Sequence, residues 1–107
     1  MTAPARSPEE RSTALAAALA ARHERARLRA ALKAREVSPR TVIDGAEGNP
    51  LWAQLKVSWL LECLPGIGAV RADRILAGVQ IAPSRRIRGL GVRQRAALMA
   101  ELEREGR

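Results

Sequence analysis

The fold is decided by one stretch near the middle of the chain, residues 60–76, which reads LLECLPGIGAVRADRIL. Its first apolar helical run stops at Pro65, because proline lacks a backbone N–H and restricts the residue before it. A Gly-Ile-Gly turn follows at residues 66–68, and apolar residues recur at helical spacing from Ala72 onward. The stretch therefore predicts two short helices joined by a tight turn.

The two glycines of this helix-hairpin-helix point to a phosphate site. A hairpin this tight needs positive φ angles and close approach, so we expect both Gly66 and Gly68 to require the absence of a side chain. The first N–H groups of the next helix lie at the positive end of its dipole and form an anion site with the turn. Arg71 and Arg74 are placed to flank a nucleic-acid phosphate, and Ile67 should point into the protein. The alternative is an ordinary helical turn with glycine as a C-cap.

The charge of the chain favours a polyanionic partner. With 19 basic and 11 acidic residues among 107, the formal net charge is +8, which favours nucleic acid over an anionic membrane. The length predicts one domain with a modest core. Trp52 and Trp59 are its only aromatic residues. We assign them to the core rather than to base stacking, because the aromatic platform of single-strand binders is absent.

Catalysis finds little support in the sequence. Cys63 stands alone among leucines, which predicts a buried thiol in a reducing cytoplasm and excludes an intrachain disulfide. His23 has no second histidine and no nearby cysteine to form a metal or catalytic cluster. No apolar stretch approaches the length of a membrane span. We therefore predict a binding protein without enzymatic activity, cofactor, metal or membrane contact.

The N-terminal third predicts one long helix from about Ser7 to Arg35. Ser7-Pro8 followed by Glu10 is a capping box with proline at the first helical position. The large apolar residues form a narrow stripe of Leu15, Leu19, Leu28 and Leu32. Much of this helix should therefore pack thinly. Its second half carries a run of basic residues opposed only by Glu24: Arg22, Arg25, Arg27, Arg29, Lys33 and Arg35. This run is either a solvated face or a rod that lies along a phosphate backbone.

The C-terminal third holds the densest positive charge. Residues 85–95 read RRIRGLGVRQR, which contains five arginines and no acid. Gly89-Leu90-Gly91 echoes the central turn and leads into a last helix that carries Arg93 and Arg95. We expect this second turn also to present helix N–H groups to a phosphate, although Gly-x-Gly is a weak signal that chance alone can produce. Further short helices are expected to begin after Ser38 and near Leu51.

Several segments together resemble one known family. They are LKVS at 55–58, LLE at 60–62, LPGIG at 64–68, IAPSRRIRGLG at 81–91 and RQR at 93–95. In a chain of this size they resemble the actinobacterial integration host factor, which is unrelated in fold to the proteobacterial heterodimer of the same name. The resemblance covers about residues 7–104.

The resemblance implies an all-α fold in which a long N-terminal helix packs on a small helix-two-turns-helix domain, related in shape to a small-subunit ribosomal protein. We expect a flexible tail at residues 1–6, the long helix at 7–36 and the DNA-binding domain at 37–107. The implied function is that of a monomeric, cytoplasmic, nucleoid-associated protein that binds double-stranded DNA with low sequence specificity. Such a protein bends, compacts or bridges DNA and affects supercoiling and phage integration.

The predicted DNA contacts form two surfaces. By position, the resemblance places one contact at the turn of residues 64–68 with Arg71, and the other at residues 84–88. With the residues argued above, the predicted DNA-binding set is Leu64, Pro65, Gly66, Ile67, Gly68, Arg71, Arg74, Ser84, Arg85, Arg86, Arg88, Gly89, Gly91 and Arg93. The alternative is an RNA-binding or ribosome-associated protein that uses the same hairpin.

Overall fold

A computed structural model describes residues 7–107, and the predicted tail at residues 1–6 lies outside them. The α-helices are α1 (Pro8–Lys33), α2 (Pro39–Gly45), α3 (Pro50–Gln54), α4 (Val57–Glu62), α5 (Ala69–Gly78) and α6 (Val92–Arg104). Single 3-10 turns lie at Ala46–Gly48 and Ile87–Gly89. The predicted all-α class is confirmed, since the only β pairing among the described residues is one isolated bridge.

Three helices begin with a capping side chain followed by proline. The Ser7 hydroxyl accepts from the Glu10 N–H at 3.1 Å, and the Glu10 carboxylate accepts from the Ser7 N–H at 3.4 Å. This is the capping box that the sequence predicted. Ser38 caps α2 in the same way, and the Asn49 side chain accepts from the Trp52 N–H at 3.2 Å at the start of α3. These local signals fix the helix starts.

The long helix α1 docks by its C-terminal half only. Leu28 and Leu32 are buried, whereas Leu15 is 62% exposed and Leu19 is 42% exposed. The first half of the helix therefore extends away from the core, as the thin apolar stripe predicted. No helix among residues 7–107 is long and apolar enough to cross a bilayer.

The core is aliphatic and is built mainly around α4 and α5. Its fully buried larger side chains are Leu32, Val42, Val57, Leu60, Leu61, Leu76, Leu98 and Leu102. Cys63 is also buried, as predicted. Trp52 and Trp59 are partly buried and pack against this core, in agreement with the assignment made from the sequence.

A short antiparallel pairing connects two segments far apart in the chain. The Val57 N–H donates to the Arg85 carbonyl at 2.9 Å, and the Ile87 N–H donates to the Leu55 carbonyl at 2.9 Å. Ile87 is buried beneath this pairing. The arginine-rich segment is therefore held against the start of α4 rather than left as a free loop.

Candidate nucleic-acid interface

The turn between α4 and α5 is anchored to the core on one side and exposed to solvent on the other. The Ile67 N–H donates to the Leu64 carbonyl at 3.2 Å, and both side chains are only 4% exposed. Pro65 is half-buried, whereas Gly66 and Gly68 are exposed. Ile67 thus points into the protein as predicted, and the two glycines face solvent.

The prediction that both glycines need positive φ angles is wrong for Gly68. Gly66 has φ +78°, in the left-handed region where glycine is favoured. Gly68 has φ −93° and ψ −175°, an extended conformation open to any residue. A Cβ on Gly68 would meet no atom within 4 Å. Of these two positions, only 66 therefore requires glycine for folding, because position 68 is the N-cap of α5 and lies in open space.

A run of backbone N–H groups at this turn is unused. Within α5 the first hydrogen bond is from the Ala72 N–H to the Gly68 carbonyl at 2.9 Å, and no side chain caps the helix. At this turn and the start of α5, five N–H groups have no acceptor within residues 7–107. They belong to Gly66, Gly68, Ala69, Val70 and Arg71. They lie at the positive end of the α5 dipole, which is the arrangement that binds anions.

Arg71 is held beside the turn but shared with a carboxylate. Its guanidinium donates to the Gly66 carbonyl at 3.5 Å and to Glu105 at 2.5 Å. Arg74 is exposed and has no ion-pair partner in the described part of the chain. The sequence held no signal for Glu105, which lies 34 residues from Arg71.

The second predicted surface is an exposed arginine segment. Arg85 donates to the Gly89 carbonyl at 3.1 Å, and Arg86 donates to the Gln54 carbonyl at 2.5 Å. Both guanidinium groups are thereby oriented while remaining exposed. Ser84, Arg88 and Arg93 are exposed too. Within residues 7–107, neither Arg88 nor Arg93 makes a side-chain hydrogen bond or ion pair.

The two Gly-x-Gly turns differ in their glycine N–H groups. The Gly91 N–H donates to the Gln94 side chain at 3.0 Å, and the Gly89 N–H donates to the Arg86 carbonyl at 2.9 Å. Gln94 in turn donates to the Gln80 carbonyl at 3.2 Å, which fixes its side chain. The glycine N–H groups of the second turn are therefore occupied. The Val92, Arg93 and Gln94 N–H groups at the start of α6 have no acceptor within residues 7–107, so presentation of helix N–H groups to a phosphate at this turn stays a prediction. Arg95 forms an ion pair with Asp44 and lines the same groove as Arg88.

A groove of about 490 Å³ joins the first turn to the long helix. One wall is the turn of residues 64–68, and the other includes Arg29 and Lys33 of α1. The Arg29 guanidinium lies over the Trp59 ring, 5.4 Å from its centroid, in a cation–π contact. Trp59 and the α1 cations were not among the predicted site residues, because no local pattern shows which helix face meets the turn.

The predicted site residues form two separate groups. Leu64, Pro65, Ile67 and both glycines of the first turn lie with Arg71 and Arg74 around the start of α5. The segment from Ser84 to Gly91 lies with Arg93 before and at the start of α6. Arg88 also lines a second, smaller groove of about 330 Å³ with residues of α2 and α3.

Cys63 lies at the back of the first groove. Burial raises the pKa of its thiol above that of a free cysteine, and the nearby Arg29 charge partly opposes that rise. The residue is therefore a buried thiol whose ionised form is disfavoured. No group of three or more histidine, cysteine, aspartate or glutamate side chains within residues 7–107 is arranged to hold a metal ion.

Comparisons with known proteins converge on one family. The family described as S13-like H2TH domain matches residues 32–102. The Integration host factor of Mycolicibacterium smegmatis is 43% identical over 103 residues, which covers 96% of this chain and 98% of that protein. The proteins of the same name from Mycobacterium tuberculosis and Streptomyces coelicolor are 44% and 46% identical and cover 92% and 98% of this chain, and in each case the match covers 94% of that protein.

A solved structure agrees with these sequence matches. The structure of sIHF bound to an 8bp palindromic DNA has 46% sequence identity and a TM-score of 0.72. The match covers 82% of this chain and 94% of that one. At this identity the likeness concerns the sequence as well as the fold.

Proposed function

Because the chain belongs to the actinobacterial integration host factor family, we propose that it binds double-stranded DNA in the nucleoid with low sequence specificity. The structure of the relative sIHF with an 8bp palindromic DNA supports this choice of partner. Members of the family are binding proteins, and the chain is not an enzyme.

The proposal depends on the unused N–H groups of Gly66 and of residues 68–71. A DNA phosphate accepts hydrogen bonds from such groups and is attracted by the helix dipole. Contacts of this kind sense charge and backbone shape and are indifferent to base identity. Arg71 and Arg74 add positive charge at the edge of the same site, and Arg71 shares its charge with Glu105.

The second surface makes a second contact through guanidinium groups. Ser84, Arg85, Arg86, Arg88 and Arg93 present one hydroxyl and four cations on a segment that is pinned to α4. Two contact surfaces on one monomer are suited to bend a single duplex or to bridge two. Bending, compaction and bridging of DNA are therefore part of the proposal, with effects on supercoiling and phage integration as their consequences.

Gel-shift titrations across a salt series test the proposed function. With five or six phosphate contacts, the logarithm of the affinity for random-sequence duplex should fall against log salt with a slope of about −5. Duplexes of scrambled sequence should differ by less than about threefold, because phosphate contacts carry no sequence information. Replacing Arg88 and Arg93 together with glutamine should reduce the slope by about two.

The same titration with a structured RNA hairpin distinguishes the RNA-binding alternative from the proposed function. Equal or tighter binding of RNA, together with co-sedimentation with ribosomal subunits, would favour an RNA-binding protein and contradict the proposed function. Binding to duplex DNA that does not respond to salt would contradict the phosphate contacts themselves.

A further inference from the structure

One face of α1 carries a stripe of four cations, Arg22, Arg25, Arg29 and Lys33, which we call the α1 stripe. Their spacing of three, four and four residues puts them on one side of an α-helix. All four are exposed. The nearest acidic residue of the helix, Glu24, lies on another face, where it pairs with Arg27 at 3.4 Å. The stripe is thus a row of like charges with no carboxylate from α1 beside it.

The α1 stripe runs into the groove beside the first turn. Arg29 and Lys33 line that groove opposite residues 64–68, and Glu62 is the acidic residue there. A shallower depression of about 460 Å³ continues along Arg22, Arg25 and Arg29, with Trp59 at its edge. The unused N–H groups and the four cations therefore border one continuous surface.

Like charges four residues apart on a helix repel one another, so the α1 stripe destabilises the free helix slightly. Packing of α1 does not account for the whole stripe, because the buried residues of the helix are Leu28 and Leu32, and Arg29 is the stripe residue that stacks on Trp59. A polyanion lying along the helix removes this repulsion by neutralising the row. Charge complementarity therefore points to an extended anionic partner rather than to a small ion.

We propose that the DNA strand whose phosphate meets the first turn continues along the α1 stripe, so that α1 forms a third contact surface for the same duplex. This inference rests on the proposed function. From Arg22 to Lys33 the helix rises by about 16 Å at 1.5 Å per residue. One strand advancing by 3.4 Å per phosphate presents about five phosphates over that length, which is enough for each cation to meet one.

The test compares two double variants that lose the same charge. Arg22→Gln with Arg25→Gln changes the outer half of the stripe, away from the turn and the core. Arg27→Gln with Arg104→Gln removes two exposed cations that are paired with Glu24 and Glu101 off the stripe. Gel-shift titrations with a 30-bp duplex should give a salt slope lower by about two for the stripe variant and lower by less than one for the control variant.

The outcomes separate this inference from the function on which it rests. A stripe variant with the parent's slope and affinity, while the parent binds duplex DNA, would overturn the third surface and leave the proposed function intact. Failure of the parent to bind duplex DNA would overturn both. A loss of affinity for an RNA hairpin but not for duplex DNA in the stripe variant would assign the stripe to RNA and also overturn the inference.

Discussion

At the scale of single residues, the backbone conformation explains why glycine stands at one position of the first turn but not at the other. Gly66 is required by its own backbone, with φ +78°. Gly68 is extended and surrounded by open space, so nothing within the described chain excludes a side chain there. The sequence shows the same residue at both positions. Only the backbone angles reveal that Gly66 is needed for folding and that Gly68 is an accessible N-cap.

Two substitutions test this division. Gly66→Ala should lower the free energy of unfolding by about 1 to 2 kcal/mol, because the left-handed conformation is unfavourable for a residue with a Cβ. Gly68→Ser should leave stability unchanged or raise it by a few tenths of a kcal/mol, since serine is a good N-cap. Urea unfolding measures both effects.

The serine variant should nevertheless bind duplex DNA about tenfold more weakly. At the N-cap its hydroxyl accepts from the N–H of Val70 or Arg71 and so competes with the phosphate for those groups. Gel-shift affinity at fixed salt measures this effect. Parent-like affinity in a variant with parent-like stability would show that these N–H groups do not contact DNA.

At the scale of elements, helix starts were predictable because Ser-Pro signals act within four residues. What a helix contacts at long range was not predictable. Glu105 lies beside Arg71 because the C-terminal end of α6 reaches the first turn of α5, and a carboxylate there competes with phosphate for the same guanidinium. Likewise, Gln94 fills the second turn only because its side chain folds back onto the start of α6.

Glu105→Gln should strengthen duplex binding about threefold by releasing Arg71 and removing a negative charge near the first turn. The matched control is Glu103→Gln on the same helix, which loses the same charge but pairs with Arg40 instead. Fluorescence anisotropy with a labelled duplex gives both affinities at one salt concentration. Equal gains in affinity in the two variants would show that the effect comes from net charge alone. No gain in Glu105→Gln would show that Arg71 does not contact DNA.

At the scale of the whole molecule, the all-α class, the long helix, the central turn and the family were all accessible from the sequence. The junction between α1 and the turn was not, because four cations on α1 are equally compatible with a solvated face. The pinning of Arg85 and Arg86 against Leu55 and Val57 was also hidden, since an isolated bridge leaves no periodic pattern.

The two predicted DNA-contact surfaces therefore differ in the groups that they offer to a phosphate. Within the described part of the chain, both glycines of the first turn have a free N–H, whereas the glycine N–H groups of the second turn are occupied and that surface adds side-chain cations on a pinned segment. DNA binding at the first turn therefore depends most on whether the N–H groups at the start of α5 bind phosphate.

Proline substitutions at the first position of α5 and of α6 test directly whether these N–H groups bind phosphate. Ala69→Pro removes one N–H from the first turn of α5, and the extended backbone of Gly68 accepts a following proline. Val92→Pro makes the equivalent change at the start of α6, where Gly91 is also extended. Both variants should fold as the parent does, as checked by circular dichroism and urea unfolding.

The measurement is gel-shift affinity of these two variants for duplex DNA at a single salt concentration. Ala69→Pro should bind about 10- to 100-fold more weakly, since a hydrogen bond to a charged group is worth about 1.5 to 3 kcal/mol. Val92→Pro should stay within about threefold of the parent, because the four guanidinium groups of the second surface remain after the Val92 N–H is lost. Parent-like affinity in a folded Ala69→Pro protein would contradict the account.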